Sequence, residues 1–319
     1  ELRVMVLEPV LFYALLRSIP LQKKELWRVV DFFVLGAALV AAIGLIQYAL
    51  GVNLITAEGG VLRLRSVYGS PNNVGLYLGR ALPVATAVMV LGGARNRRLS
   101  YLGAVLLMAA ALALSFSRGA LLLGVPAALA VIILFRGGKR AAGALFALLG
   151  VATAALFAFA RHPRIVSLLS RTAGPTFFRL NLWRSALNMI SDHPLTGVGL
   201  DNFLYAYRGR YIAPAAWQDP HLSHAHNWLL DFATRLGLPG LAVAFWLLVA
   251  FFRTAVRAVR TMTDPGLRAL AVGLVASMAD FLAHGMVDAS YWFVDLAFAF
   301  MLMVALAQRL TNQRDPALT

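Results

Sequence analysis

At 319 residues, 60% hydrophobic and only 13% charged, the chain is too apolar for a soluble domain, since such domains are about half apolar and about a quarter charged. Its formal charge of +15 would point to nucleic acid in a soluble protein, but the Lys and Arg fall mostly in short loops between apolar runs, so no nucleic-acid partner is expected. Cysteine is absent, which excludes a disulfide frame, a thiolate metal site and a cysteine nucleophile.

Apolar runs occupy residues 4–18, 29–50, 74–93, 99–116, 119–136, 141–160, 227–252, 269–287 and 291–308, most of them about long enough to cross ~30 Å of hydrocarbon as a helix. The first is short and carries Glu8. Arg17, Lys23, Lys24 and Arg28 separate runs one and two; Arg95, Arg97 and Arg98 separate three and four. Arg136, Lys139 and Arg140 follow run five, Arg253, Arg257, Arg260 and Arg268 lie between seven and eight, and Arg309 and Arg314 follow run nine. Every second loop is therefore basic, and the positive-inside rule makes those loops cytoplasmic. Arg63 and Arg65 are the exception, in a loop that the alternation places outside.

The pattern predicts an all-α polytopic membrane protein with nine transmembrane helices. Residues 1–319 form a single membrane domain, and 161–226 form a long extracytoplasmic loop within it. Nine spans and a cytoplasmic C-terminus put the N-terminus outside, so an odd number of further helices is expected upstream. In the long loop, Ile165, Leu168, Leu169, Leu182, Leu187 and Ile190 recur at helical spacing, as in amphipathic helices at a membrane surface. The stretch from Asp192 to Leu200, punctuated by Pro194, Gly197 and Gly199, reads as turn and loop.

The outward side collects cations. Ser117-Arg118-Gly119 sits at the outer end of two apolar runs, where a guanidinium either snorkels to the interface or binds an anion. Arg179 and Arg184 lie five apart on an amphipathic segment and do not strictly share a face. Arg63 and Arg65 precede Tyr68-Gly69-Ser70-Pro71-Asn72-Asn73, a turn and helix start. Arginine suits phosphate because its planar fork gives two parallel charge-assisted hydrogen bonds. His221, His224 and His226 invite a zinc reading, but on a helix His224 and His226 would point to opposite sides, and no carboxylate at ligand spacing completes the set. No metal is expected. An imidazole at the interface serves equally as a general base or as a structural group. Asp280, His284 and Asp288 fall at i, i+4 and i+8 on one helix face, with Arg80 as a candidate partner; pairing, proton relay and substrate contact all fit them.

Three stretches resemble the O-antigen ligase and polymerase superfamily of bacterial envelope glycosyltransferases. Residues 112–121, LALSFSRGAL, are similar to its S-R-G helix turn; 179–203, RLNLWRSALNMISDHPLTGVGLDNF, to its outer-loop signature ending in P-x-x-G-x-G; and 226–240, HNWLLDFATRLGLPG, to His-Asn, nine residues, then G-x-x-G. Residues 69–78, GSPNNVGLYL, add weaker support. The resemblance implies a glycosyltransferase C-type helix bundle, with upstream helices missing from this chain. It implies transfer or polymerisation of a glycan from undecaprenyl diphosphate to an acceptor hydroxyl, with inversion and without metal, nucleotide or other cofactor. The acceptor is a glycan, a lipid or a protein. It also implies residence in the bacterial inner membrane among membrane lipids, with the active site facing the periplasm or cell exterior. Carried onto this chain, the base is His226 and the diphosphate ligands are Arg118, Arg179 and Arg184. Arg65, Asn72, Asn227, Asp280, His284 and Asp288 are candidates for binding or orienting substrate. Glu58, Asp201 and Asp219 are outer carboxylates that compete as base. A transporter or flippase that uses the Asp280–Asp288 face, and a non-catalytic scaffold, are the alternative readings.

Overall fold

The computed structural model describes residues 1–57, 60–140, 143–145, 147, 150, 174–217 and 219–312. Most of the sixth apolar run lies outside the described residues, as do Glu58 and the amphipathic positions Ile165, Leu168 and Leu169. The remaining eight runs each coincide with helix. A π-helical turn, Leu2–Leu7, leads into α1 (Glu8–Ser18), followed by α2 (Lys23–Ala49), α3 (Pro71–Leu91), α4 (Arg95–Ser115) and α5 (Ala120–Arg136). Beyond them come α6 (Gly174–Asp192), α7 (Trp228–Thr261), α8 (Pro265–Gly285) and α9 (Val294–Asn312). Among the described residues, six helices are long and apolar enough to cross a membrane: α2, α3, α4, α7, α8 and α9. The chain is an all-α polytopic membrane protein; among the described residues it has one small hairpin, in which β1 (Leu54–Thr56) pairs antiparallel with β2 (Leu62–Leu64).

Burial sorts the helices into two classes. α3, α8 and α9 are enclosed, and α3 packs most closely on α8. Small residues permit that approach: a Cβ on Gly273 would lie 2.8 Å from the backbone of Val84. The outer helices turn apolar stripes outward instead. Phe32, Leu35, Leu39, Ile43 and Ile46 on α2, and Leu99, Leu102 and Leu106 on α4, are exposed at helical spacing. Apolar stripes of that length are not left to water by a soluble protein, and they match a lipid-facing surface.

Contacts at the basic end tie its loops together. Lys23 Nζ lies 2.5 Å from Asp264, Arg97 donates to Asp31 at 3.1 Å and stacks over Trp27, and Arg309 donates to the carbonyls of Leu16, Arg17 and Ile19. Gly93 faces Pro265. The loops α1–α2, α3–α4 and α7–α8 and the end of α9 thus share one end of the bundle, as the alternation of charge predicts. At the opposite end stand the hairpin, the α4–α5 turn, α6 and the chain between α8 and α9.

In α6 the apolar face differs from the sequence expectation. Leu182, Ala186 and Met189 form a small core with Phe203, Tyr207 and Ala225, whereas Leu187 is exposed. Leu187 is five residues beyond Leu182, about 140° around the helix, so it leaves the buried stripe. The helix therefore belongs to a folded cap, not merely to a surface-lying amphipathic segment.

Candidate active site

Two of the sequence motifs dock on each other. α7 is broken at Gly237, whose φ of 68° belongs to the left-handed region open to glycine. A Cβ there would stand 2.5 Å from the Leu195 carbonyl, and one on Gly197 would stand 2.5 Å from the Thr234 carbonyl. Two backbone bonds close the contact, Val198 N to Thr234 O at 2.7 Å and Leu238 N to Pro194 O at 2.8 Å. The P-x-x-G turn after α6 and the G-x-x-G kink of α7 are two halves of one backbone joint, and both glycines are required by close approach.

That joint holds the histidine segment, which also has side-chain anchors. Trp183 donates to Ala225 O at 3.0 Å, Asp231 accepts from Ala225 N at 2.7 Å, and Arg235 donates to Leu200 O and to Ser223 O. Asp231 and Arg235, one turn apart on α7 and buried, were not singled out in the sequence; their signal was an acid–base pair inside an otherwise apolar helix start. Asn227 is the N-cap of α7, accepting from Leu229 N and Leu230 N, and it donates to Met286 O at 3.1 Å. It fixes the backbone between the histidines and the end of α8, and these bonds occupy both ends of its amide.

His221 is exposed and stands apart. His224 and His226 do not point to opposite sides, because residues 222–227 are not helical; with His226 at φ 49°, the two rings meet edge to face at 4.1 Å. Asp288, in the turn after α8 and 4% exposed, supplies the carboxylate that local spacing lacked. Its Oδ1 accepts from His226 Nδ1 at 3.0 Å and from Ala289 N at 2.9 Å. Burial alone would raise the Asp288 carboxyl, but the hydrogen bond and charge of His226, with the charges of His284 and His224, hold it below the ordinary carboxylate range. His224 is pushed from 6.5 down to about 3, first by burial and then by the charge of His226, with Asp288 opposing. A proton on His226 Nδ1 leaves Nε2 as the basic nitrogen. Donor atoms of His224, His226 and Asp288 lie within 4.8 Å of one another, so this trio is also the set that could hold a cation.

The S-R-G turn has a packing logic. Ser117 and Gly75 are in contact, a Cβ on the glycine falling 2.7 Å from Ser117 Oγ, and Gly119 is pressed against His284. Ser117 is buried while Arg118 is half-buried. Arg63, which the sequence placed only beside Arg65, reaches this turn: it donates to Ser115 O at 2.8 Å, Phe116 O at 3.3 Å and Asn72 Oδ1 at 2.9 Å. Arg65 instead donates to Asn53, across the hairpin. Two positions apart on a regular strand they would share a face; β2 ends at Leu64, so Arg63 lies within the strand and Arg65 just beyond it, and they take different partners. On α6, Arg179 is half-buried and its charge acts on Asp288 and His224, whereas Arg184 is exposed. Burial lowers the Arg179 pKa and Asp288 opposes the shift.

Asp280 and His284 lie deeper, one turn apart on α8 and both fully buried; the helix ends at Gly285, so Asp288 does not continue their face as its spacing predicts. Arg80 is the neighbour of Asp280, at 3.9 Å, and its other contacts are Ser290 O and the Phe281 ring. Beside the first turns of α7 lies an apolar cavity of about 390 Å³, lined among others by Trp228, Phe232, Phe281, Tyr291 and Trp292. Trp228 directly follows Asn227, so the cavity adjoins the histidine segment.

Residues 103–245, a little under half of the chain, match the family described as O-antigen ligase (Wzy_C). The match contains Arg118, Arg179, Arg184 and His226, and ends before α8. No curated protein matches the chain.

Proposed function

From the premise that the chain belongs to the O-antigen ligase superfamily, we propose that it transfers or polymerises a glycan carried on a polyprenyl diphosphate, of the undecaprenyl class, onto an acceptor hydroxyl. The observation that carries this reading is the bond between His226 Nδ1 and Asp288 Oδ1 at 3.0 Å, within reach of the Arg179 charge. Asp288 holds the ring through Nδ1 and so turns Nε2 toward the substrate as the general base. The acceptor oxygen attacks the anomeric carbon as its proton passes to Nε2. The bond from that carbon to the diphosphate oxygen breaks, and the electron pair leaves on the diphosphate. In-line displacement inverts the anomeric centre.

Arg118 and Arg179 stabilise the charge that grows on the leaving diphosphate, and they stabilise it more in the transition state than in the ground state. Arg63 holds the Arg118 turn in place. The cavity under Trp228 takes part of the hydrocarbon chain, consistent with apolar lining beside a polar mouth. The basic loops at the other end of the bundle support a site on the extracytoplasmic face of a bacterial inner membrane. Nine spans in a single domain over residues 1–319 remain part of this reading.

The test is transfer from undecaprenyl-diphosphate glycan to candidate acceptors by protein purified in detergent, with and without EDTA. Turnover that survives EDTA and falls by about 100-fold in both Arg118→Ala and Arg179→Ala is the expected result. Turnover abolished by EDTA and restored by a divalent cation would replace the acid–base reading with a metal held by His224, His226 and Asp288.

A further inference from the structure

One side chain stands between the two halves of the site. His284, at the end of α8, is fully buried, and neither ring nitrogen has a hydrogen-bond partner among the described residues. One edge of the ring lies against the Arg118 turn: a Cβ on Gly119 would stand 2.5 Å from His284 Cδ2 and 2.8 Å from Nε2. Toward the other half, the His284 carbonyl accepts from Val287 N at 3.1 Å, in the turn that leads directly to Asp288. Leaving a buried polar group without a partner costs about 1–3 kcal/mol. A hydrocarbon side chain would fill the same space without that cost, so packing alone does not account for an imidazole. Its place between the turn that carries Arg118 and the carboxylate that orients His226 does.

We propose that His284 is a positioning residue that couples the two halves of the site. It braces the Ser117–Gly119 turn against the Asp288 end of α8, so that the guanidinium on the leaving group and the imidazole on the acceptor keep one relative placement. Gly119 is required because the brace leaves no room for a Cβ. This rests on the glycan-transfer reading for its effect on turnover, but the contact itself has a readout that does not depend on turnover.

The experiment compares Gly119→Ala, His284→Ala, the double variant, His284→Gln and His284→Leu. It measures binding of a fluorescent undecaprenyl diphosphate without sugar, and separately kcat and donor KM for glycan transfer. Gly119→Ala drives a methyl group into the ring and displaces Arg118, and affinity for the probe falls about ten-fold. Adding His284→Ala makes room for the methyl, and affinity returns to within about three-fold of wild type, the non-additivity expected of residues in contact. His284→Ala and His284→Leu bind the probe normally but lose turnover by about 100-fold at nearly unchanged KM, as for a misplaced catalytic group. His284→Gln, which keeps a polar end, retains more turnover than His284→Leu. Affinity losses that simply multiply in the double variant would overturn the contact. Turnover in His284→Leu equal to wild type would overturn the positioning role. A wild type that binds the probe but transfers glycan to no acceptor would sink the transfer reading instead, and the affinity cycle would still judge the brace.

Discussion

Asp288 and Asp280 are about two helical turns apart in sequence, and the protein uses them in different ways. Asp288 sits at the mouth of the bundle, hydrogen-bonded to His226 at 3.0 Å and to its neighbour's backbone. Asp280 sits in the packed interior between Gly79 and Gly124, with Arg80 at 3.9 Å and no hydrogen bond to either carboxylate oxygen among the described residues. The first is a carboxylate bonded to an imidazole that is itself partly exposed, at 21%; the second faces only the helices it joins. Ser277 donates to Arg80 O from the same helix, and the Arg80 guanidinium lies over Phe281, so the deeper pair reads as a fastening between α3 and α8. That accounts for intramembrane charge without a transport path. The lesson is that an ionisable residue in a membrane helix is diagnostic of chemistry only when its partner is itself exposed to a ligand.

The sharpest way to break this contrast is to neutralise each acid in turn. Asp288→Asn is expected to lower turnover on the order of 10³–10⁴-fold with the bundle still folded, because the ring loses its orienting acceptor. Asp280→Asn is expected to leave turnover far closer to wild type; equal losses in the two variants would erase the distinction. Next in size is stability: Arg80→Leu strands a buried carboxylate and should cost about 3–5 kcal/mol, most of it recovered in Arg80→Leu with Asp280→Asn, read by thermal unfolding in detergent. Within the cation set, Arg63→Ala should reduce donor kcat/KM by about ten-fold through loss of the turn's anchors, while Arg65→Ala and Arg184→Ala should stay within about two-fold. A large loss in Arg184→Ala would mean that α6 presents its other face to substrate.

The smallest expected effect is in pH. The folded pKa of His224 lies at about 3, below the ordinary 6.5, so its contribution to stability is fully present above 6.5 and is lost as pH falls toward 3. His224→Gln should flatten the melting temperature against pH in that window. Asp288, also held below its ordinary 3.8, contributes above that value and loses its share only as pH falls through its folded value, at the acid end of the same curve. A wild-type melting temperature that stays level from 6.5 down to 4 would contradict the burial of His224.

What was legible in the sequence was local. Run positions, the basic loops that share one end, and the Asp280–His284 spacing follow from hydropathy, charge and helical period; Asp288, expected on the same helix face, lies in the turn beyond the end of α8. His226 and the S-R-G turn stood out by residue type and by resemblance. What was hidden depends on segments far apart in sequence or on backbone that is not regular. His224 and His226 were set on opposite sides by assuming a helix that does not form there. Asp288 is 62 residues from the ring it orients, so no local ligand spacing could show it. Arg63 and Arg65 differ only because the hairpin aims the first at Ser115 and the second at Asn53. Asn227 stood out only as a candidate for binding or orienting; that its amide caps α7 and ties it to Met286, 59 residues on, could not be read from local sequence.

Removal of the acceptor proton by His226 can be tested in a single comparison. Glycan transfer from undecaprenyl diphosphate would be followed under single-turnover conditions for wild type and His226→Ala, with binding of the sugar-free lipid diphosphate measured on the same samples. His226→Ala is expected to bind the lipid normally and to transfer about 10²–10⁴-fold more slowly, the range for loss of a general base. Transfer at the wild-type rate by a variant that binds normally would contradict it, and the base would have to be sought among the outer carboxylates.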